Sequence, residues 1–438
     1  MVLKRDLGLL HATMMGLGST ICAGVFMILG GAVGIAGPAV VLSFFLCGIV
    51  NMATMLSYCE LGAAMPRVGG EYVYVRAAFG GLPAFIAGWY EWSSNLFYAT
   101  LMVLGAASML SYFIPVDKIL IIVMLVVVFA LLNIKGIKEA GITETLLTSI
   151  LLAILLLYVI AGLRYGFRAD AFKPFMPKGP LSIVGAMAFI FETYLGIEAI
   201  AATQAEIKEP EKTIPRAMIL CSLILMVLYC LIAYVTIGIL PPEVLIASGI
   251  PLYLVAEKTM AGVGAIMIAI AGLIAAVTSL NSAIIASSRA AYAMSRDGYF
   301  PRAMRDVHSD FGTPHTAIVA GAALILFLCI VDNLEFVVYS INFGFLIGFA
   351  LVNLSLIVLR KSKPQLERPF ETPLYPLTPI VGITTSLMLL VFIDVKPLAF
   401  GIGWGLLGSI VYFLTRRNDR LVHEEKGRRE HYLDNEDE

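Results

Sequence analysis

Long apolar runs dominate the chain, and short polar segments separate them. A helix rises about 1.5 Å per residue, so roughly 20 apolar residues cross about 30 Å of hydrocarbon. Scanning for such runs predicts twelve membrane helices, of which the ninth is short. The third and eighth are long enough to tilt or to extend beyond the bilayer. The approximate bounds are 9–35, 38–61, 82–113, 118–134, 141–163, 181–204, 217–240, 261–286, 316–330, 335–359, 375–393 and 398–415.

The composition agrees with this pattern. Of 438 residues, 59% are hydrophobic and only 14% are charged, and the mean hydropathy is +0.90. A soluble domain of this length has too little interior for that much apolar surface, so the solvent of most side chains is lipid. The chain is therefore expected to be an all-α integral membrane protein. Its single transmembrane domain covers 1–415, and 416–438 forms a polar cytoplasmic tail.

Positive charge is distributed unevenly between the two sides of the predicted topology. With both termini inside, seven Lys and Arg fall in outer loops and 23 of the 30 fall inside. Because basic residues concentrate in cytoplasmic loops, this bias supports cytoplasmic termini in a plasma-membrane protein. The outer loops hold Lys118, Arg164, Arg168, Lys173, Lys178, Lys258 and Lys396.

The first membrane helix contains the stretch GSTICAGVF at 18–26. Small and hydroxyl residues weaken a helix here, and a broken helix in hydrocarbon needs protein or a cavity to satisfy its backbone. Glycines also permit close helix packing, which is the alternative interpretation. We predict an interruption of this helix.

The sixth membrane helix carries a second candidate interruption, where Glu192 and Glu198 flank Thr193 and Gly196. A carboxylate at the bilayer centre costs about 2.5–3.5 kcal/mol on insertion scales, so it is expected to face a polar interior. The structural alternative is a Glu that bonds to a neighbouring helix, and Glu198 in particular could hold the break.

The third helix adds Glu91, followed by Asn95 and Tyr98 at i+4 and i+7. Helical spacing puts the three side chains on one face, where they can line one cavity. Two interrupted helices at corresponding positions of two halves indicate a midplane binding site in a secondary transporter. Half-helix N-termini favour a carboxylate and freed carbonyls favour an ammonium group, so together they fit an α-amino acid.

The chain resembles the amino acid–polyamine–organocation (APC) permeases along nearly its whole length. Five motifs occur in order, of which the second is the most specific. They are GSTICAGVF, SYCELGAAMPRVGGEYVYVRAAFG (57–80), YLGIEAIAATQAEIKEPEKTIPRA (194–217), ASSRAAYAMSRDGYFP (286–301) and FGTPHTA (311–317). Taken locally, GGEY and KEPEKTIPRA are expected to be charged inner loops, and the Gly and Pro of SRDGYFP are expected to end the eighth helix.

The resemblance implies a LeuT-like core of five plus five helices in inverted repeats, about 9–163 and 181–359, with extra helices at about 375–415. It also implies alternating access. From their positions in the family's first motif, the N–H groups of Ala23 and Gly24 would hold the substrate carboxylate. Carbonyls and side chains of the two breaks and of helix 3 would complete the site. These are Ser19, Thr20, Ile21, Glu91, Asn95, Glu192, Thr193, Leu195, Gly196 and Glu198.

The sequence departs from the family at three places. Cys22 stands where relatives usually have Gly, and Glu192 where they usually have a bulky aromatic residue. Helix 5 lacks the lysine that proton-coupled relatives often carry near Leu151 or Leu152. Three options for coupling stay open: Na⁺ at helix 8, proton binding by Glu192 or Glu91, or plain exchange. The Na⁺ candidates are Thr278, Ser279 and Ser282.

The leading hypothesis is an amino-acid permease or exchanger, with a tilt toward cationic or polar side chains because two acids are buried. The alternative is a polyamine or amine carrier of the same fold. No filter motif or charge ring indicates a channel, and no G-x-S-x-G or HExxH indicates an enzyme. The scattered cysteines and histidines predict no metal site and no cofactor. We expect lipid and the substrate as partners, without nucleic acid or a disulfide-linked ancillary subunit.

Overall fold

The structure is a computed structural model, and its helices follow the apolar runs of the sequence. It describes residues 8–65, 70–113, 115–136, 140–168, 170–198, 200, 207–331 and 333–433. The described residues contain no β-strand. The helices are α1 (Leu9–Thr20), α2 (Ala23–Ala36), α3 (Val40–Ala64), α4 (Gly70–Phe79), α5 (Gly81–Phe113), α6 (Lys118–Lys135), α7 (Ala140–Tyr165), α8 (Leu181–Ile190), α9 (Pro210–Ile239), α10 (Pro242–Ala247), α11 (Pro251–Arg296), α12 (His315–Leu328), α13 (Leu334–Ser362), α14 (Leu377–Leu390) and α15 (Val395–Leu433).

Eight helical stretches in the described part are long and apolar enough to cross a membrane. Three shorter apolar helices lie at Leu181–Tyr194, His315–Leu328 and Leu377–Leu390. The all-α architecture is thus confirmed, whereas twelve membrane helices in an inverted repeat stay a prediction. The ninth predicted run is indeed short, because α12 ends at Leu328.

Large apolar side chains cover much of the outer surface. Ile119 of α6 is 69% exposed and Ile330 is 77% exposed, for example. Such exposure is costly in water but not in lipid, whose chains are as apolar as the side chains themselves. A buried core of aliphatic and aromatic residues lies inside this shell.

Two segments expected to be loops are partly helical. The last three residues of GGEY, from Gly70, open α4, which has Glu71 in its first turn and Arg76 in its last. These charges match the helix dipole, and the intervening Tyr, Val and Ala residues can form a helix. The loop interpretation of KEPEKTIPRA is also wrong beyond Glu209, because α9 begins at Pro210. Proline is tolerated in a first helical turn, where its missing N–H has no intrahelical partner.

The long stretch α11 contains a change of direction at Ala261, whose φ of 54° and ψ of −158° are not helical. The second part ends at Arg296, just before Asp297 and Gly298 of SRDGYFP, as predicted. This part packs along α5, and α1 packs against α7, α9 and α11. Helix α1 therefore lies between α7, α9 and α11.

Candidate functional site

The first predicted interruption is confirmed. Helix α1 ends at Thr20, and Ile21 (φ −70°, ψ 94°) and Cys22 (φ −102°, ψ 168°) are extended. A new helix, α2, starts at Ala23. The break thus leaves carbonyl groups at the end of α1 and N–H groups at the start of α2 without intrahelical partners. It is deeply buried, since Ser19 is 4% exposed and Thr20, Ile21 and Ala23 are 0% exposed.

The second interruption is also present. Helix α8 gives way to a 3-10 turn at Phe191–Tyr194, and Leu195 is extended with ψ 145°. Gly196 follows with φ +117°. A Cβ on Gly196 would lie 2.6 Å from the carbonyl oxygen of Ser19 and 2.9 Å from Thr20 N. Only glycine fits this conformation and this approach, so Gly196 brings the two breaks into contact.

Glu192 joins the two breaks with its side chain. The Cys22 thiol donates a hydrogen bond to Glu192 Oε2 at 3.4 Å. The other carboxylate oxygen of Glu192, Oε1, lies against Gly24, and a Cβ added to Gly24 would collide with it. Glu192 is fully buried, and Oε1 has no hydrogen-bond partner among the described residues. The carboxyl group therefore occupies the N-terminal end of α2, a position where a helix favours an anion.

Glu198 and Thr193 make local contacts instead. Both carboxylate oxygens of Glu198 accept from Gly196 N at 3.0 Å. The Thr193 hydroxyl donates to the Ile190 carbonyl at 2.7 Å. Glu198 therefore bonds within the break after α8, and its role in holding that break stays a prediction.

Hydroxyl groups meet the carbonyls at the end of α1. Thr278 of α11 donates to Gly18 O at 3.0 Å, and Ser279 donates to Ser19 O at 3.2 Å. Ser282 Oγ lies 3.2 Å from Ser19 Oγ. The three candidate ion ligands therefore face helix 1, as the Na⁺ hypothesis requires. Hydroxyl and carbonyl oxygens suit Na⁺, which would replace the donated hydrogen bonds of this conformation.

A family profile described as amino acid permease matches residues 7–415. The chain belongs to the amino acid permease family. The resemblance to APC permeases is thereby confirmed, and the chain is a multi-pass membrane transporter by family.

Three relatives of this permease come from Bacillus subtilis. A methylthioribose transporter is 29% identical over 96% of this chain and 95% of its own. A branched-chain amino acid permease is 27% identical over the same shares, 96% and 95%. A serine/threonine exchanger is 27% identical over 94% of this chain and 97% of its own.

The third predicted membrane helix is α5, and its residues Glu91, Asn95 and Tyr98 make separate contacts instead of lining one cavity together. Tyr98 of α5 donates to Ser19 O at 3.3 Å and so contacts the helix 1 break. Asn95 donates to Glu91 O of its own helix at 2.8 Å. The carboxylate of Glu91 accepts from Tyr72 N of α4 at 3.4 Å. These contacts turn the Glu91 carboxylate toward the start of α4.

Two contact residues of the break were missed from sequence. Tyr229 of α9 donates to Thr20 O at 3.4 Å, and Met102 Sδ of α5 accepts from Ala23 N at 3.4 Å. A tyrosine inside an apolar membrane helix is a signal for such a role, because its buried hydroxyl needs a partner. Met102 carries no such signal, since methionine is an ordinary filler of apolar cores.

Proposed function

We propose that this permease moves amino acids across the plasma membrane by alternating access, as a symporter or exchanger. The observation that carries the proposal is the contact between two helix interruptions at Gly196 and Ser19. N–H groups of Ala23 and Gly24 supply a carboxylate site, and the carbonyls of Ser19, Thr20 and Ile21 supply an ammonium site. Each carbonyl has two lone pairs. Thr20 O accepts from Tyr229 and keeps a lone pair for a substrate. Ser19 O already accepts from Tyr98 and Ser279, and a substrate ammonium would replace one of these donors.

The proposed cycle uses the inverted halves about 9–163 and 181–359, with both termini cytoplasmic. The two breaks lie in corresponding places of these halves, which supports a site between them. The residues of the breaks are buried in this conformation, so access requires the halves to move. Thr193, Leu195, Glu198, Glu91 and Asn95 stay candidates for shaping the pocket.

We further propose a preference for cationic or polar side chains. Glu192 carries this step, because its Oε1 lies beside the helix 1 break and has no hydrogen-bond partner within the described part of the chain. The branched-chain permease and the serine/threonine exchanger show that relatives of similar identity differ in substrate. Side-chain preference is therefore a property of the individual pocket.

The test is uptake by purified protein in proteoliposomes. Labelled lysine, serine, threonine and leucine are offered with and without Na⁺ and with and without an inward pH gradient. We expect saturable uptake of at least one amino acid, with lysine, serine or threonine ahead of leucine. Absence of uptake for the whole panel would reject the proposal.

An amine carrier is the second candidate function. The methylthioribose transporter is a relative whose named substrate has no carboxylate, so carboxylate recognition needs its own test. Competition by putrescine and by methylthioribose against the best amino acid separates the two. We expect the amino acid to compete better than either. Stronger competition by putrescine would favour the amine carrier.

A further inference from the structure

Helix α5 presents a hydrogen-bond donor and an acceptor to the two ends of the helix 1 break. Tyr98 donates to Ser19 O at 3.3 Å, on the carbonyl side of the break. Met102 Sδ accepts from Ala23 N at 3.4 Å, on the N–H side. The two residues are four positions apart in α5, so they lie on one face of that helix. Helix α5 thus provides a donor where the break has acceptors and an acceptor where it has donors.

An α-amino acid carries the same two kinds of group. Its ammonium group donates hydrogen bonds, and its carboxylate accepts them. The proposed function places the ammonium group on the carbonyls that end α1 and the carboxylate on the N–H groups that begin α2, and the following step rests on it. Tyr98 and Met102 therefore bond to backbone groups that the substrate also needs.

A glycine lets α5 approach the break closely enough for these contacts. A Cβ on Gly105 would lie 2.7 Å from Ala23 Cβ and 2.9 Å from Met27 Sδ. Gly105 is three residues beyond Met102, on the same face of α5. The bare backbone at this position thus allows Met102 to reach Ala23 N, and both residues of the contact are fully buried.

The two side chains lower the cost of an empty site. A buried N–H or carbonyl group without a partner loses the hydrogen bond that it makes to water in the unfolded chain. The thioether of Met102 supplies an acceptor to Ala23 N, and the hydroxyl of Tyr98 supplies a donor to Ser19 O. The break is therefore stabilised in this closed conformation while no substrate is bound.

A substrate can replace both bonds. A thioether sulfur is a weak acceptor, whereas a carboxylate or an ammonium group forms hydrogen bonds about twice as strong as neutral ones. Methionine has three rotatable side-chain bonds, so Met102 can turn aside without a shift of α5. The Tyr98 hydroxyl also lies close to the side chains of Ser279 and Cys22, to which it can donate after its release from Ser19 O.

We propose that Tyr98 and Met102 bond to the helix 1 break in place of the substrate ammonium and carboxylate groups while the site is empty, and that an amino acid displaces both bonds when it binds. The two side chains stabilise the empty site and thereby reduce affinity. Position 98 acts on ligands that carry an ammonium group, and position 102 acts on ligands that carry a carboxylate.

Removal of either group should tighten binding. Tyr98→Phe keeps the aromatic ring, and Met102→Leu approximately keeps the side-chain volume. Each variant deletes one hydrogen bond that exists only in the empty site, so the Kd of the amino acid should fall about two- to fivefold. A side chain that contacts the bound substrate would give the opposite sign, because its removal weakens binding.

The experiment measures binding by the full chain in nanodiscs with three ligands. They are the best amino acid of the uptake panel, its decarboxylated amine and its deaminated carboxylic acid, and the last two compete against the labelled amino acid. Tyr98→Phe should improve binding of the amino acid and the amine and leave the carboxylic acid unchanged. Met102→Leu should improve binding of the amino acid and the carboxylic acid and leave the amine unchanged.

Matched controls remove similar groups at other places. Tyr158→Phe deletes a buried hydroxyl of α7, which lies 2.7 Å from the Thr236 hydroxyl. Met109→Leu replaces another buried methionine of α5, which packs against Gly272. Both controls should bind all three ligands like the wild type.

The outcomes separate this step from the proposed function. Weaker or unchanged binding of the amino acid by Tyr98→Phe or Met102→Leu would overturn the displacement and leave the transport function standing. Improved binding of all three ligands by one variant would also overturn it, because that pattern shows a general effect on the closed conformation. If the amine and the carboxylic acid do not compete, the direction of the change in the amino acid Kd decides.

Two further results are informative. If one variant fails to fold, the other still tests its own group, because each has its own pattern of ligands. Absence of binding of every amino acid by the wild-type protein would reject the proposed function itself.

Discussion

Arg360 at the end of α13 forms a bidentate ion pair with Glu60 at the end of α3. Arg360 Nε donates to Glu60 Oε1 at 2.8 Å, and Nη2 donates to Oε2 at 2.6 Å. Glu60, the acid of the E-L-G motif, is fully buried. It also accepts from Thr372 N at 2.7 Å and lies 3.2 Å from Arg368 Nε. One carboxylate thus fastens two membrane helices and the chain segment between α13 and α14.

Replacing Arg360 by methionine should destabilise the fold. Removing one partner of a buried pair leaves an uncompensated charge, at a cost of roughly 3–5 kcal/mol. Arg368 offsets part of this cost because it also reaches Glu60. We expect a clear drop in melting temperature, measured by tryptophan fluorescence in detergent. Lys361→Met, a neighbouring exposed residue, is the matched control and should melt like the wild type. Equal melting temperatures of the two variants would contradict a stabilising role of the Arg360–Glu60 ion pair.

Replacing Gly196 by alanine should stop transport. The residue has φ +117°, and its new Cβ would meet Ser19 O at 2.6 Å. Two segments that enclose the site must then separate. Gly312→Ala isolates the backbone effect, because Gly312 has φ +68° and no described atom lies within 4 Å of a Cβ placed there. It should cost only the strain of about 1–2 kcal/mol and keep transport. Similar uptake by both variants in proteoliposomes would show that the contact of the breaks is dispensable.

Replacing Gly24 by alanine should weaken substrate binding. The added methyl group would collide with Glu192 Oε1 and approach Cys22 Sγ to 2.9 Å. Overpacking of this kind costs about 1–3 kcal/mol, which corresponds to a loss of roughly tenfold or more in affinity. Gly34→Ala lies on the same helix and meets Ile246 only at 3.6 Å or beyond. Its Kd should equal that of the wild type. A wild-type Kd for Gly24→Ala would place the substrate elsewhere.

The positions of the two breaks could be predicted from sequence, because Gly, Ser and Thr weaken a helix within an apolar run, where an intact helix is otherwise strongly favoured. The buried acids were recognisable for the same reason. Their partners were not. Whether Glu192 meets Cys22 or Glu198 meets Gly196 depends on the turn geometry after α8, which no local pattern fixes.

The loops were harder to predict than the membrane helices. Helix α4 begins at a Gly-Gly pair, and α9 carries Pro215 inside it. Local propensity argues against a helix in both cases, and neighbouring helices override it. In the long hydrophobic runs the membrane itself requires a helix, since an unpaired backbone in lipid is far more costly than a poor helix propensity.

Substitution of Cys22 should change substrate affinity. Its thiol donates to Glu192 Oε2 at 3.4 Å and so helps to hold this side chain at the start of α2. Cys22→Ala removes the donor, and the loss of one hydrogen bond is worth about 0.5–1.5 kcal/mol, or a change of roughly two- to tenfold in Kd. Cys22→Ser keeps a donor and should bind like the wild type. Kd measured in nanodiscs checks both variants. Cys47→Ala removes another fully buried thiol and should leave the Kd unchanged. Equal changes for Ala and Ser would show that the volume at position 22 matters, and not its hydrogen bond.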